Sequence, residues 1–174
     1  METPMRTISI EKITLNVGTG KEKVNVERGL RLLKMITGKK PIATLTQRRI
    51  PSWGLRPGLP VGCKVTLRKQ DATLLLPSLL DAVNFTLSEK NFDGLGNLSF
   101  GIHEYIDIKG VKYDPDIGMM GLEVSVTLKR PGFRVKRRRI KPAKPSPSHQ
   151  ITKSEAIHFF KTTYKVKIIE EEEN

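Results

Sequence analysis

Cysteine is nearly absent: Cys63 is the only one in 174 residues. A single thiol closes no internal disulfide, so stability must come from buried apolar area, and a reducing compartment is expected. Histidines number three and are scattered. With one cysteine they form no metal-ligand spacing, so neither a metal nor a cofactor is expected. Aromatic residues are 6% of the chain and Trp53 is the single tryptophan. That scarcity argues against recognition by base stacking. Long apolar runs are missing too. The longest, LLLPSLLDAV, is broken by Pro77, Ser78 and Asp81, far short of the ~20 residues that span a bilayer. The N-terminus METPMRTISIEK lacks the charged-then-apolar order of a signal peptide. A soluble, non-membrane protein is expected, and the length suits one domain over residues 1–174.

Acidic residues are also scarce, 18 against 31 Lys and Arg, for a formal net charge of +13. Such an excess repels itself on compaction and answers a polyanion. The charge is not spread evenly. Residues 1–70 hold 15 basic and 4 acidic side chains, residues 71–129 hold 4 and 9, residues 130–167 hold 12 and 1, and residues 168–174 hold 0 and 4. Two basic blocks flank an acidic centre, so one side is expected to face the polyanion and another to face solvent or protein. The second block contains KRPGFRVKRRRIKPAKPSPSHQ. Its cations Arg134, Lys136, Arg137, Arg138 and Arg139 precede Pro142, Pro145 and Pro147. The composition predicts an irregular basic loop or arm over 130–150 that contacts RNA.

Alternation places four long strands. In ISIEKITLNVG, Ile13, Leu15 and Val17 point inward while Thr14 and Asn16 point outward. In PIATLTQ, Ala43 and Leu45 are expected inward, Thr44 and Thr46 outward. In PVGCKVTLR, Val61, Cys63, Val65 and Leu67 oppose Gly62, Lys64, Thr66 and Arg68. In GLEVSVTLK, Leu122, Val124, Val126 and Leu128 oppose Glu123, Ser125, Thr127 and Lys129. NLSFGI is a short strand and VKII a short final edge strand. Helices are expected over NVERGLRLLKMITG, capped by Asn25 and ended by Gly38; over DATLLLPSLLDAVNF, capped by Asp71; and over AIHFFKTTY, opened by the capping box Thr152 to Glu155. Pro77 inside the second helix predicts a kink or a later start. A long loop over 48–60 carries Arg48, Arg49, Trp53 and Arg56. The elements do not alternate as βαβ units. The fold class expected is α+β, an antiparallel sheet of about four long strands with helices on one face and the other face free for RNA.

The outward residues give that free face its character. They are short hydroxyls, one amide and cations, with Glu123 a lone acid. Hydroxyls and amides let a phosphate or ribose approach closely and hydrogen-bond to it. Strand preference alone also favours threonine, but the basic blocks beside the face favour a folded RNA read by its backbone. Other motifs fail. VGTGKEK lacks the spacing of a phosphate-binding loop, and His103-Glu104 lacks the second histidine of a zinc protease. YDPDIG reads as a turn. Nothing supports an enzyme, and the densest basic run is broken by prolines, which argues against a helix-turn-helix regulator.

The segments KITLNVGTGKEK, LLKMITGKKPIAT and GLRPGLPVGCKVTLR resemble a universal 5S-RNA-binding family of large-subunit ribosomal proteins, number five in bacterial and archaeal naming. LSFGIHEYIDIKGVKYDPDIGMMGLEVSVTLKRPGFRVKRRR is similar to its archaeal type, and the likeness covers nearly the whole chain. The resemblance implies an antiparallel sheet backed by helices, a cytoplasmic, ribosomal location, and binding to 5S ribosomal RNA in the central protuberance. It implies that Asn16 and Thr66 touch 5S RNA. Lys39 stands where the family often has Gln, which turns a neutral contact into a charged one. With the residue reading, the expected 5S surface is Asn16, Lys39, Lys40, Thr44, Thr46, Arg48, Arg49, Lys64, Thr66 and Arg68. The family's loop toward the P-site tRNA maps onto Arg48 through Leu59, with Arg49, Trp53 and Arg56 as contacts; Trp53 either anchors its own loop or lies against the tRNA. Further partners implied are large-subunit rRNA and neighbouring ribosomal proteins, including one in the small-subunit head.

Overall fold

The computed structural model describes residues 3–169; the glutamates at 170–173, most of the acidic C-terminal block, lie outside the described residues. The alternation in β1 (Ser9–Gly18), β3 (Pro60–Arg68) and β6 (Leu122–Lys129) turns Ile13, Leu15, Val17, Cys63, Val65, Leu67, Val124 and Val126 into one buried face. β2 (Ile42–Leu45) and β5 (Leu98–Ile102) complete an antiparallel five-stranded sheet in the order β2-β3-β1-β6-β5. Helices α1 (Lys23–Thr37), α2 (Gln70–Asp81) and α3 (Lys153–Tyr164) feed Leu32, Leu33, Leu76, Leu79, Leu80, Ala156 and Phe160 into the same apolar cluster. Each of the larger apolar side chains, valine, leucine, isoleucine or phenylalanine, taken fully from water stabilises the fold by roughly 1.5–3 kcal/mol. This is the α+β architecture the patterning implies.

Helix boundaries differ from expectation at two caps. α1 starts at Lys23 with Glu22 at its N-cap, so Asn25 lies in the first turn and donates to the Glu22 carboxylate at 3.0 Å. Asp71 is not a cap either. β3 ends at Arg68 and α2 begins at Gln70, with Lys69 alone forming the corner at φ 56°. Asp71 falls in the first turn, where a carboxylate favours the positive end of the helix dipole. Gly38 does end α1, in the left-handed conformation at φ 64°, as a glycine after the last turn commonly does. α2 neither starts late nor reaches Phe85. It runs through Pro77 and stops at Asp81, after which Asn84 and Phe85 both turn at φ 53°.

That turn leads into an element without an alternation signal, β4 (Thr86–Ser88). It pairs in parallel with β7 (Lys167–Ile169) as a separate two-stranded sheet, so VKII is not an edge of the main sheet. The capping box of α3 forms as read: Thr152 accepts from the Glu155 backbone N–H at 3.4 Å, and Glu155 accepts from the Thr152 N–H at 3.0 Å.

Candidate RNA-docking face

Strand pairing turns the outward residues into a grid. Thr66 opposes Thr14, Thr14 opposes Ser125, and Ser125 opposes Ser99. This row of four hydroxyls crosses four strands at the ~4.8 Å spacing of a sheet, and Ser99 donates to Ser125 at 3.3 Å. One step along lies the row Ile42, Lys64, Asn16, Glu123 and Gly101. Asn16 donates there to Glu123 at 3.3 Å, which orients the amide. On the other side Arg68 opposes Lys12, and Lys12 opposes Thr127. Lys64, Thr66, Arg68, Ser125 and Lys129 are exposed, and Thr14, Asn16, Thr44 and Thr127 half-buried. The face is therefore uncovered by the described residues, and none of these side chains turns into the core.

Gly62 keeps this surface flat. A Cβ there would lie 2.8 Å from the Val17 carbonyl and 3.0 Å from Thr44 Oγ1, so any side chain would displace Thr44 or the β1 backbone. On the opposite face Cys63 is fully buried, and loss of water pushes its thiol up to about 11. It acts as a small core residue.

β2 corrects one expectation. Its register shifts between Thr44 and Leu45, so Leu45 is exposed instead of pointing inward; a one-residue slip exchanges the faces. Ile42, on the outer row, is also exposed. Thr46 is committed to its loop. Its backbone N–H and hydroxyl both donate to the Leu59 carbonyl, at 2.9 and 3.0 Å, and its own carbonyl accepts from Gly58 at 2.9 Å. Lys39 is drawn to the helical side by an ion pair with Asp71 at 3.1 Å; Lys40 is exposed beside it.

The loop after β2 is a short hairpin extension. Ile50 and Leu55 bridge each other, and Pro51–Trp53 forms a single tight turn closed by Gly54. Arg48, Arg49 and Arg56 are exposed, and Trp53 keeps 67% of its surface in solvent. An anchoring role for Trp53 would need burial, which is not found.

The basic segment after β6 is a closed loop. At its root Arg130 is buried, donating to the Gln150 carbonyl at 3.0 Å and to Glu155 at 2.7 Å. Glu155 is held below the ordinary carboxylate value, first by the Thr152 backbone hydrogen bond and then by Arg130. His149 meets the Pro131 carbonyl at 2.8 Å and packs edge-on against Phe133. Further out, Ala143 donates to the Val135 carbonyl at 3.2 Å, and Arg138 Nε to the Lys141 carbonyl at 2.7 Å. Arg134, Lys136, Arg137, Arg138 and Arg139 are all exposed. Arg137 also reaches the sheet, forming an ion pair with Glu11.

The structure thus gathers Asn16, Thr44, Lys64, Thr66 and Arg68 on one face, with the arm joined at Arg137. It sets Lys39 toward the helices and Arg48, Arg49, Trp53 and Arg56 on a separate projection. Reading alternation two residues further back would have found Lys12. Ser99 falls within the expected strand NLSFGI. Glu11 had no sequence signal. Among the described residues no group of three or more His, Cys, Asp or Glu could hold a metal ion, and no helix is long and apolar enough to cross a membrane.

The fold and charge define the class: a basic α+β protein with an open sheet face of hydroxyls and cations. The family models specify it further. Residues 3–56 match the model described as ribosomal protein L5, and residues 60–168 match the model for the C-terminus of the same ribosomal family. The chain is 48% identical to the large ribosomal subunit protein uL5 of Nanoarchaeum equitans, covering 97% of this chain and 100% of that protein. It is 42% identical to the uL5 of Sulfolobus acidocaldarius, over 97% and 95% of the two chains, and 45% identical to that of Nitrosopumilus maritimus, over 96% of each. The chain belongs to the ribosomal protein L5 family. It is accordingly a structural, non-enzymatic protein of the cytoplasmic ribosome.

Proposed function

We propose that the chain, acting as one domain, binds 5S rRNA in the large ribosomal subunit and helps hold it in the central protuberance. The observation that carries this reading is the uncovered grid in which Thr66, Thr14, Ser125 and Ser99 form a hydroxyl row between Lys64 and Asn16 on one side and Arg68 and Lys12 on the other. Such a surface positions itself on phosphates and riboses without reading base edges. Thr44 and Lys40 extend it at β2, and Arg48 and Arg49, at the base of the projection, add charge at its edge. Thr46 supports it by fixing the loop base, and Lys39 contributes through its long side chain if it leaves Asp71. The arm residues Arg134, Lys136, Arg137, Arg138 and Arg139 contact large-subunit rRNA. Arg49, Trp53 and Arg56 lie against the P-site tRNA, and the exposure of Trp53 supports that over self-anchoring. Neighbouring ribosomal proteins, one of them in the small-subunit head, meet the remaining surface.

The test is a gel or filter titration of the purified protein with a 5S rRNA transcript. Asn16→Ala with Thr66→Ala is expected to weaken binding at least about tenfold, two polar contacts being worth roughly 1 kcal/mol or slightly more each, with the circular dichroism unchanged. Neutralising about six phosphates gives a log–log salt slope of order −4 to −5. Binding equal to the parent protein would reject this face.

A further inference from the structure

We propose that Glu11 is a positioning residue that fixes the basic loop after β6 to the sheet, so that Arg137 and Arg68 present one continuous cationic surface. The register of β1 against β6 shifts between Ile10 and Lys12, which leaves Glu11 as the extra residue of a bulge. Bulges re-aim a side chain at the cost of ladder pairing. The re-aimed carboxylate retains only 9% of its exposure. A carboxylate so enclosed is strongly unfavourable unless paired. Both of its oxygens are met: Oε1 by Arg68 Nη1 at 3.9 Å, and Oε2 by Arg137 Nη2.

The exposures give the order of the layers. Arg68 and Arg137 keep 55% and 47% of their side chains in solvent, while the acid keeps almost none. The carboxylate therefore sits behind the two guanidiniums. Each arginine has five N–H donors and spends one nitrogen on Glu11. The remaining donors of these half-exposed side chains are left for whatever docks. The root of the loop is already closed by Arg130 and His149, and its outer part by the Ala143 to Val135 hydrogen bond. The Glu11 pair adds a lateral tie from the loop to β1 and β3. Ordering these long side chains before binding removes part of the entropy that docking would otherwise cost.

This sets an unusual sign. Glu11→Gln makes the protein more positive, and charge alone would tighten its grip on RNA. Positioning predicts the reverse. The RNA part of the proposal rests on the sheet face being the docking surface; the loop part does not. Hydrogen exchange is therefore measured first, on the free full-length protein. In Glu11→Gln and in Arg137→Gln, the amides of Ala143 and Arg138 are expected to exchange at least about threefold faster, while the β1–β3 ladder exchanges as before. A 5S rRNA transcript is then titrated, with Asn16→Ala/Thr66→Ala as the control for the face itself. Glu11→Gln is expected to bind about fivefold more weakly. Unchanged loop exchange, loosening of the β1–β3 ladder as well, or an affinity equal to or above the parent's overturns the proposal. A control double variant that binds normally overturns the sheet-face reading instead, and leaves the exchange result to decide the loop tie.

Discussion

The outer face of the sheet and the basic loop after β6 both carry cations outward, but they are held in place differently. On the sheet, positions are set by backbone pairing: Thr66, Thr14, Ser125 and Ser99 line up because their strands share one register. In the loop, positions depend on isolated ties, among them Arg130 to Glu155, His149 to Pro131, Arg137 to Glu11 and the backbone bond from Ala143 to Val135. The sheet is supported by a core beneath it, whereas the loop's five cationic side chains from Arg134 to Arg139 are exposed. A surface fixed by register fails with the whole fold. A surface fixed by ties can fail alone.

The largest effect should come from removing the backing of the register-fixed surface. Leu15 is fully buried, with Val65 and Val124 as its neighbours across the sheet. Leu15→Ala should cost about 2–5 kcal/mol of stability, read from urea unfolding, and should weaken 5S binding wherever the folded fraction drops. A loss under 1 kcal/mol would mean that the sheet does not depend on this core.

A smaller effect is expected at the projection between β2 and β3. Its base is closed by Thr46 with Gly58 and Leu59. Deleting residues 50–57 leaves Gln47, Arg48, Arg49 and Gly58 between the closing pair Thr46 and Leu59, a four-residue turn of ordinary length. 5S binding should stay within about threefold, the loss of one exposed cation, Arg56, being the main electrostatic change. Placement of P-site tRNA on reconstituted ribosomes should suffer, as read by chemical footprinting of the tRNA. A collapse of 5S binding would move the projection onto the same docking surface as the sheet.

The same contrast explains what was legible in the sequence. β1, β3 and β6 announce their faces because one face is buried against helices, and period-two patterning must then hold. Leu45 broke the pattern because a bulge intervenes before it. Asn25 and Asp71 have side chains suited to caps, yet the chain enters α1 through Glu22 and α2 through Lys69 at positive φ; the path between elements decided those starts. β4 is three residues long and exists through its pairing, so no local pattern marks it, whereas β7 is readable as the strand VKII but its partner is not. The outward residues of β1, β3 and β6 were readable from alternation. The Glu11 tie was not, because it joins a bulge to a distant loop.

The smallest expected effect concerns the root of that loop and is a matter of pH. Glu155 accepts from the Thr152 backbone N–H and from Arg130, and its folded value lies below the ordinary one of 4.5. A lowered value means that the unfolded chain takes up the proton first as pH falls. The stabilisation is fully present above pH 4.5 and is lost as pH drops through the lower, folded value. Glu155→Gln removes that acid-side loss. Near neutral pH it should cost about 1 kcal/mol, since an amide can still serve the capping box but pairs poorly with buried Arg130. Urea midpoints of the two proteins, compared from pH 7 to pH 3, should therefore converge below pH 4.5. A constant gap would place the stabilisation in the packing around Arg130 and not in the charge on Glu155.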